Sequence, residues 1–170
     1  MLVEKLQNLN SRQVQSQYET IFPDGIPFGT NTTGEEVKLM QRRDFQVPDR
    51  ENSTVEWMYR GIKIIDIAGT DDTNKEVELE FVVDQNWRIY KDFLAWKKAT
   101  YDERTGVIGD RAAVSTTIIV NALGADDSIY YTWKIKGARA RIISIDPFSH
   151  EGTEYMHIRV TVIYDYIDEE

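Results

Sequence analysis

Apolar and polar residues alternate along most of this chain, and alternation with a period of two predicts strands with one face against a core. The clearest run lies near the end. Met156, Ile158, Val160, Val162, Tyr164 and Tyr166 share one face, while His157, Arg159, Thr161 and Asp165 share the other, which predicts one strand over 156–166. Val77, Leu79, Phe81 and Val83 alternate in the same way with Glu76, Glu78 and Glu80. Tyr131, Trp133 and Ile135 alternate with Thr132, Lys134 and Lys136, and Arg139 to Ile145 continues that strand after a break at Gly137. Val114 to Leu123 is rich in β-branched residues and reads as a further strand. Thr54 to Arg60 and Ile62 to Ala68 read as two strands separated at Gly61, closed by the turn residues Gly69-Thr70-Asp71-Asp72.

One segment follows the helical period instead. Ile89, Phe93 and Trp96 fall at i, i+4 and i+7, with Tyr90 and Leu94 beside them, so residues 86–99 form an amphipathic helix anchored in the core by those three side chains. Asp84 or Asn86 supplies the cap, and Lys97 and Lys98 suit the negative end of the helix dipole. Leu2, Val3, Leu6 and Leu9 also recur at helical spacing, which predicts a short helix over 2–9 that needs a docking surface. Val14 to Phe22 reads as a strand, Pro23-Asp24-Gly25 as a turn, and Glu36 to Phe45 as a second, polar strand. Together these predict a long N-terminal hairpin arm with too little apolar surface to stand alone. The expected fold is therefore mainly β: an antiparallel two-sheet sandwich or barrel with one flanking α-helix and that arm. A single domain is expected over residues 1–170, with 1–50 as the N-terminal segment and arm and 51–170 as the sandwich.

Composition changes this picture little, but charge narrows the function. Against 29 Asp and Glu stand 20 Lys and Arg, a formal net charge of −9. A chain so acidic repels phosphate backbones, which disfavours specific binding of DNA or RNA. There is no cysteine, which excludes disulfides, thiolate metal sites and cysteine nucleophiles. No apolar run approaches the ~18 residues of a membrane span, and Met1 to Asn10 lacks the pattern of a signal peptide.

Candidate chemistry is sparse. His157 and Asp165 lie on one strand face eight positions apart, about 27 Å at ~3.4 Å per residue, too far to share a site. His150 sits beside Glu151 in a loop. Asp71-Asp72 and Asp126-Asp127 lack the ligand series of a calcium loop, and turn chemistry explains both. No phosphate-binding glycine loop, nucleophile elbow or zinc spacing occurs. No catalytic residue, metal site or cofactor is expected. The aromatic helix with Arg88, Lys91, Lys97 and Lys98 has the composition of a nucleic-acid stacking platform, but helical spacing of its aromatics favours core packing, with the lysines free to meet an acidic neighbour. Glu76, Glu78 and Glu80 admit two readings: an acidic band facing a channel, or the solvated face of an amphipathic strand.

Three segments also resemble the tail tube proteins of contractile-tailed, myovirus-type bacteriophages. Trp57 to Gly69, WMYRGIKIIDIAG, resembles the family's strand pair ending in an Ala-Gly turn. Val77 to Ala99, VELEFVVDQNWRIYKDFLAWKKA, resembles its acidic strand running into an aromatic helix. Tyr131 to Tyr166, opening YTWKIKGARARIISID and closing MHIRVTVIYDY, resembles its kinked strand and C-terminal strand ending in Asp-Tyr. The resemblance implies a two-sheet β fold with a flanking helix, six copies closing into a ring, and rings stacking into a hollow tube. It implies arms that bridge neighbouring subunits, a contracting sheath around the tube, and genomic DNA passing through the lumen without specific binding. The implied partners are the chain itself, the sheath protein, and the initiator and terminator proteins at the two ends; the implied location is the virion, after assembly in the host cytoplasm.

The function expected is thus structural, not enzymatic. A tube initiator, a terminator, or the tube of a contractile secretion system would share the fold. A carbohydrate-binding β-sandwich is the competing class. It needs a flat patch of exposed aromatics, whereas Trp57, Trp87, Trp96 and Trp133 mostly fall on faces expected to be core.

Overall fold

A computed structural model describes residues 18–41, 46–71, 74–124, 126–152 and 154–170. Eight strands and three helices are described: β1 (Tyr18–Ile21), α1 (Gly34–Met40), β2 (Asn52–Tyr59), β3 (Ile62–Asp71), β4 (Glu76–Val82), α2 (Arg88–Thr100), α3 (Arg111–Val114), β5 (Thr116–Leu123), β6 (Ile129–Ile145), β7 (His157–Ile163) and β8 (Tyr166–Glu169). All pairings are antiparallel. The strands order as β1-β5-β6-β7-β4 with β8 also on β6, while β2 and β3 make a separate two-stranded sheet. The mainly β fold with a flanking helix is the one the alternating pattern predicts.

The long strand β6 turns one hydrogen-bonded surface into two layers. Residues before Gly137 pair with β5 and β8, and residues from Arg139 onward pair with β7. Gly137 itself has φ +68, and a Cβ there would collide with the Asp165 carboxyl. Only glycine takes that backbone shape at low cost, so the corner is written into the sequence. The pattern predicts a break at Gly137; the strand instead runs on through it, changing partners there.

A matching bend corrects the reading of 156–166 as one strand. The strand stops at Ile163, and the Tyr164 amide donates to the Lys75 carbonyl and the Asp165 amide to the Lys136 carbonyl. The chain then resumes as β8 on the other half of β6. Period-two alternation runs straight through such a corner, so the pattern alone cannot show it. The Asp165 carboxylate fastens the corner, accepting from Arg111 at 2.5 Å and Arg139 at 3.0 Å. The Arg111 hydrogen bond, with the charge of Arg139, holds this carboxyl below its usual pKa. The acidic end, Asp168 and Glu169, belongs to β8.

The N-terminal part departs most from expectation. Residues 34–40 are helix and not a polar strand, so there is no hairpin between 14–22 and 36–45 in the described residues. The reason is a capping box. The Thr33 hydroxyl accepts from the Glu36 amide at 3.3 Å, and the Glu36 carboxylate accepts from the Thr33 amide at 2.9 Å. Nor is this region poor in core residues, since Phe22, Ile26 and Val37 are all buried. The expected helix over 2–9 and the segment 42–45 lie outside the described residues, as does the start of the strand expected from Val14. Val114, read as the start of a strand, instead ends α3.

Ile89, Phe93 and Trp96 of α2 are fully buried against Phe22, Phe81 and the inner faces of β4, β6 and β7. The Phe81 and Phe93 rings lie 5.0 Å apart, and Phe22 meets Trp96 edge-on at 6.2 Å. The Trp96 indole N–H donates to the Val114 carbonyl at 2.8 Å, which satisfies its buried polar atom. The N-cap position of α2 is Trp87, whose side chain makes no cap, and the Asp84 carboxylate, three residues earlier, instead accepts from the Arg88 amide at 2.8 Å.

A second tie comes from the polar side of α2. The fully buried Asp92 carboxylate accepts from the amides of Thr30, Asn31 and Thr32 at 2.8–3.2 Å and from the side chains of Asn31 and Thr32 at 2.7 and 2.5 Å. Burial pushes this carboxyl up, but the hydrogen bonds from Thr32 and Asn31 together outweigh it and leave its pKa below the usual value. Gly29 passes so close that a Cβ would lie 2.8 Å from the carboxyl carbon.

Trp96→Ala removes a fully buried indole and its hydrogen bond and should destabilise the fold by about 3–5 kcal/mol; a denaturation midpoint equal to wild type would contradict the packing. The depressed pKa of Asp92 means that its stabilisation is present above pH ~4, where the carboxyl is ionised even in the unfolded chain, and is lost as pH falls through the lower folded pKa. Asp92→Asn should therefore lower stability at pH 7, by on the order of 3 kcal/mol, and weaken the loss of stability below pH 4. Thermal melts of both proteins across that range measure it.

Candidate functional site

The hairpin of β2 and β3 is the most unusual surface on the molecule. Its tip, Arg60-Gly61, has φ of 51° and 80°, the two positive values of a tight hairpin turn that follows the twist of its strands. The register pairs Tyr59 with Ile62, Trp57 with Ile64 and Val55 with Asp66 on one face. On the other face it pairs Met58 with Lys63, Glu56 with Ile65 and Thr54 with Ile67. Directly opposed residues share a face, so both faces carry large apolar side chains. Val55, Trp57, Tyr59 and Ile62 on the first are 48–66 % exposed, and Met58, Ile65 and Ile67 on the second are 60–71 % exposed. An isolated two-stranded ribbon is marginal in water, and beyond its cross-strand pairs, the Trp57–Tyr59 contact at 6.4 Å and Arg60 over the Tyr59 ring at 5.3 Å, its apolar side chains stay exposed on both faces.

The root of this hairpin is tied to the β-sheet corner. Arg50, just before β2, donates to the Glu169 carboxylate of β8 at 2.6 Å, and the Tyr131 hydroxyl donates to the same carboxylate at 2.8 Å. On the far side, Lys75 pairs with Asp71 at 3.2 Å and donates to the Asp165 carbonyl at 2.9 Å. An open cavity lies between these ties, lined by Pro48, Arg50, Asp71, Lys75, Tyr164 and Tyr166. The ion pairs are solvent-exposed and individually weak; what they share is position, one beside each strand at the root of the ribbon.

Glu76, Glu78 and Glu80 do share a face of β4, but cross-strand neighbours divide them. Glu76 forms an ion pair with Arg141 of β6, and Glu80 is largely buried with Arg159 of β7 at 3.6 Å. Glu78 is the exposed member, opposite Thr161. Periodicity places the three carboxylates together; only the strand register reveals that two of them meet arginines.

The histidine and aspartate of the last strands also find separate partners. The His157 ring lies 3.0 Å from Asp146, whereas Asp165 serves the corner. Among the described residues, no group of three or more His, Asp or Glu is arranged to hold a metal ion, and no helix is long and apolar enough to cross a membrane. The tryptophans do not form one patch. Trp96 is buried, Trp87 and Trp133 are half-buried, and Trp57 is 48 % exposed on the hairpin, which corrects its expected place on a core face. On α2, Lys91 and Lys98 are exposed, while Lys97 pairs with Glu103 at 2.9 Å.

This fold recurs in contractile injection assemblies. A chain of the PVC extracellular contractile injection system, in its sheath/tube terminator in the extended state, superposes with a TM-score of 0.67 at 11 % identity, covering 95 % of this chain and 99 % of that one. A chain of the PVC sheath-tube complex in the extended state matches with a TM-score of 0.67 at 11 % identity over 98 % of this chain and 96 % of its own. A chain of the six-fold symmetrised baseplate of the anti-feeding prophage gives 0.65 at 11 % identity, over 95 % and 97 %. No family model matches the sequence, and no curated protein does. The chain therefore has the fold of proteins from contractile tail-like assemblies, the class that the sequence resemblance implies.

The hairpin should be separable from the core. Converting Trp57 and Tyr59 together to threonine should shift the denaturation midpoint of the dilute protein by less than about 1 kcal/mol, as for exposed sites. A loss near that of Trp96→Ala would show that these rings pack within the monomer.

Proposed function

We propose that this protein is the subunit of a contractile tail tube, of the bacteriophage type, and that it does no catalysis. Copies close head to tail into rings of six, the rings stack, and the channel conducts DNA inside a contracting sheath. The observation that carries this reading is the end-to-end likeness of the fold to chains of sheath-tube, terminator and baseplate assemblies, supported by the three ordered sequence segments. A heterologous contact repeated about an axis closes into a ring. The partners are then further copies of the chain, the sheath protein, and the initiator and terminator proteins at the tube's ends. One other assignment has an observation of its own: chains from the PVC sheath/tube terminator and from the tube-terminating cap of the anti-feeding prophage have this fold, with TM-scores of 0.67 and 0.63. In that reading the protein closes the tube rather than building its length.

A conduit for DNA must avoid affinity for it, because duplex DNA carries one charge per ~1.7 Å of axis and an attractive wall would act along its whole length. The net charge of −9 suits that requirement. We place the β4 face toward the channel, with Glu78 as the carboxylate most open to it and Glu76 and Glu80 beside it, partly neutralised by Arg141 and Arg159. Screening over ~8–10 Å at ordinary salt still leaves a narrow channel within reach of these charges.

Negative-stain electron microscopy of the purified protein, alone and with a nucleating baseplate, tests the assignment. Rings or tubes are expected; a strict monomer under both conditions would contradict it, and a single capping ring that never elongates would favour the terminator. Glu78→Lys in assembled tails should slow DNA ejection, most at low salt, while leaving the tube intact. An unchanged ejection rate at low salt would remove β4 from the channel wall.

A further inference from the structure

We propose that the groove beneath the loop joining β6 to β7 is a binding site for an aliphatic polyamine, with Phe148 and Tyr155 as its aromatic walls and Glu151 and Glu154 as its counter-charges. The protein shapes this groove by contacts of its own. At the root of the loop, the Asp146 carboxylate accepts from the His157 amide at 3.0 Å and from Arg159 at 3.3 Å, and lies 3.0 Å from the His157 ring. The Asp146 amide donates to the His157 carbonyl at 3.1 Å. Farther along, the Phe148 ring stacks on Trp87, just ahead of α2, at 6.1 Å. Between these contacts lies an open groove of about 670 Å³, within the ~300–1,000 Å³ range of small-molecule sites.

The lining selects the ligand. Phe148 and Tyr155 both border the groove and are 75 % and 80 % exposed. Glu151 and Glu154 border it too; both are exposed, and neither has an ion pair among the described residues. Arg159 cannot neutralise them, because Asp146 and Glu80 already hold it. Two carboxylates are thus left without a counter-charge beside two aromatic side chains. They repel an anion. A neutral sugar would cover the charges without compensating them, which is costly. A hard metal ion takes about six or more oxygen ligands, more than two carboxylates supply. An ammonium group suits both features, since it pairs with a carboxylate and is drawn to the face of an aromatic ring. A protein segment needs more surface than the groove has: one partner of a stable interface contributes ~800 Å², whereas two aromatic side chains offer at most ~300–500 Å². The ligand that fits is therefore small, with two or more ammonium groups on an aliphatic chain.

Calorimetric titration of spermidine into dilute protein at low salt tests this. It needs no assembled particle, so its failure is distinct from failure of the tube reading. Saturable binding of one spermidine per chain is expected, weakening as salt rises because the groove is open to solvent. Glu151→Gln with Glu154→Gln, and Phe148→Leu with Tyr155→Leu, should each raise the dissociation constant about fivefold or more. All four side chains are exposed, so melting curves should stay close to wild type. Full affinity in the glutamine variant overturns the proposal. Full affinity in the leucine variant reduces the binding to counter-ion attraction by an acidic chain and overturns it equally. If a variant misfolds, the wild-type protein still decides. Amide chemical shifts on adding spermidine should change around the groove and at Trp87; changes spread over other acidic surfaces, or none at millimolar spermidine, contradict the site. A lysine-rich peptide that displaces spermidine at a tenth of its concentration would make the groove a protein-docking surface, which also contradicts it.

Discussion

Burial of one aromatic cluster sets the rest of this structure in place. Phe22, Phe81, Phe93 and Trp96 meet edge-on and tilted between α2 and the sheet, and each is almost wholly removed from water. Such side chains dominate the driving force of a small domain. Their packing joins the loop after β1 to a distant unit, the edge strand β4 and the helix that follows it. Once α2 is fixed, its polar side presents Asp92 to the loop at 30–32, and its far end carries Trp96 to the carbonyl of Val114, just ahead of β5. The hydrophobic contact determines the position, and the buried hydrogen bonds remove the cost that unpaired polar groups would impose there.

The corner at Gly137 turns this packing into an architecture. Because β6 bends there and the chain of β7 and β8 bends beside it, a single pair of long strands serves two layers. Asp165 links the corner to α3 through Arg111 and to β6 through Arg139. The same corner holds the hairpin root, through the Lys75 contact with the Asp165 carbonyl and the Arg50 contact with Glu169. The root of the hairpin is therefore tied to this corner, although the hairpin's own faces are left to solvent. The core satisfies itself, while the ribbon leaves apolar side chains exposed on both faces.

Much of this was legible in the sequence, and the failures have physical causes. Alternation located β4, β5, β6 and β7 because each has one buried face, and the spacing of Ile89, Phe93 and Trp96 marked α2. Gly137 was visible as a kink because glycine in the middle of a strand has few other reasons to be there. The break at Tyr164–Asp165 was hidden, since alternation continues across a change of sheet. The helix α1 was missed although Thr33 and Glu36 spell a capping box; its seven residues include one buried side chain, Val37, too few to establish a period. The arm was expected at 14–45 and the uncovered ribbon lies instead at 52–71. There the signal was present but misread: Trp57, Met58 and Tyr59 in succession put apolar bulk on both faces, which suggests a buried strand when no partner is in view. Pairing of Glu76 and Glu80 with arginines depends on strand register, which periodicity does not contain.

If the tube proposal holds, the 52–71 ribbon, with apolar side chains exposed on both faces, gains its cover only on assembly. Hydrogen–deuterium exchange on either side of the assembly concentration measures this directly. Amides of β7 and of residues 133–136 of β6 should be protected in both states, because these segments are paired on both sides within one chain. Amides of β2 and β3 should exchange quickly in the monomer and become protected on assembly. Equal protection of β2 and β3 in monomer and particle would contradict the account, because the ribbon would then need no partner.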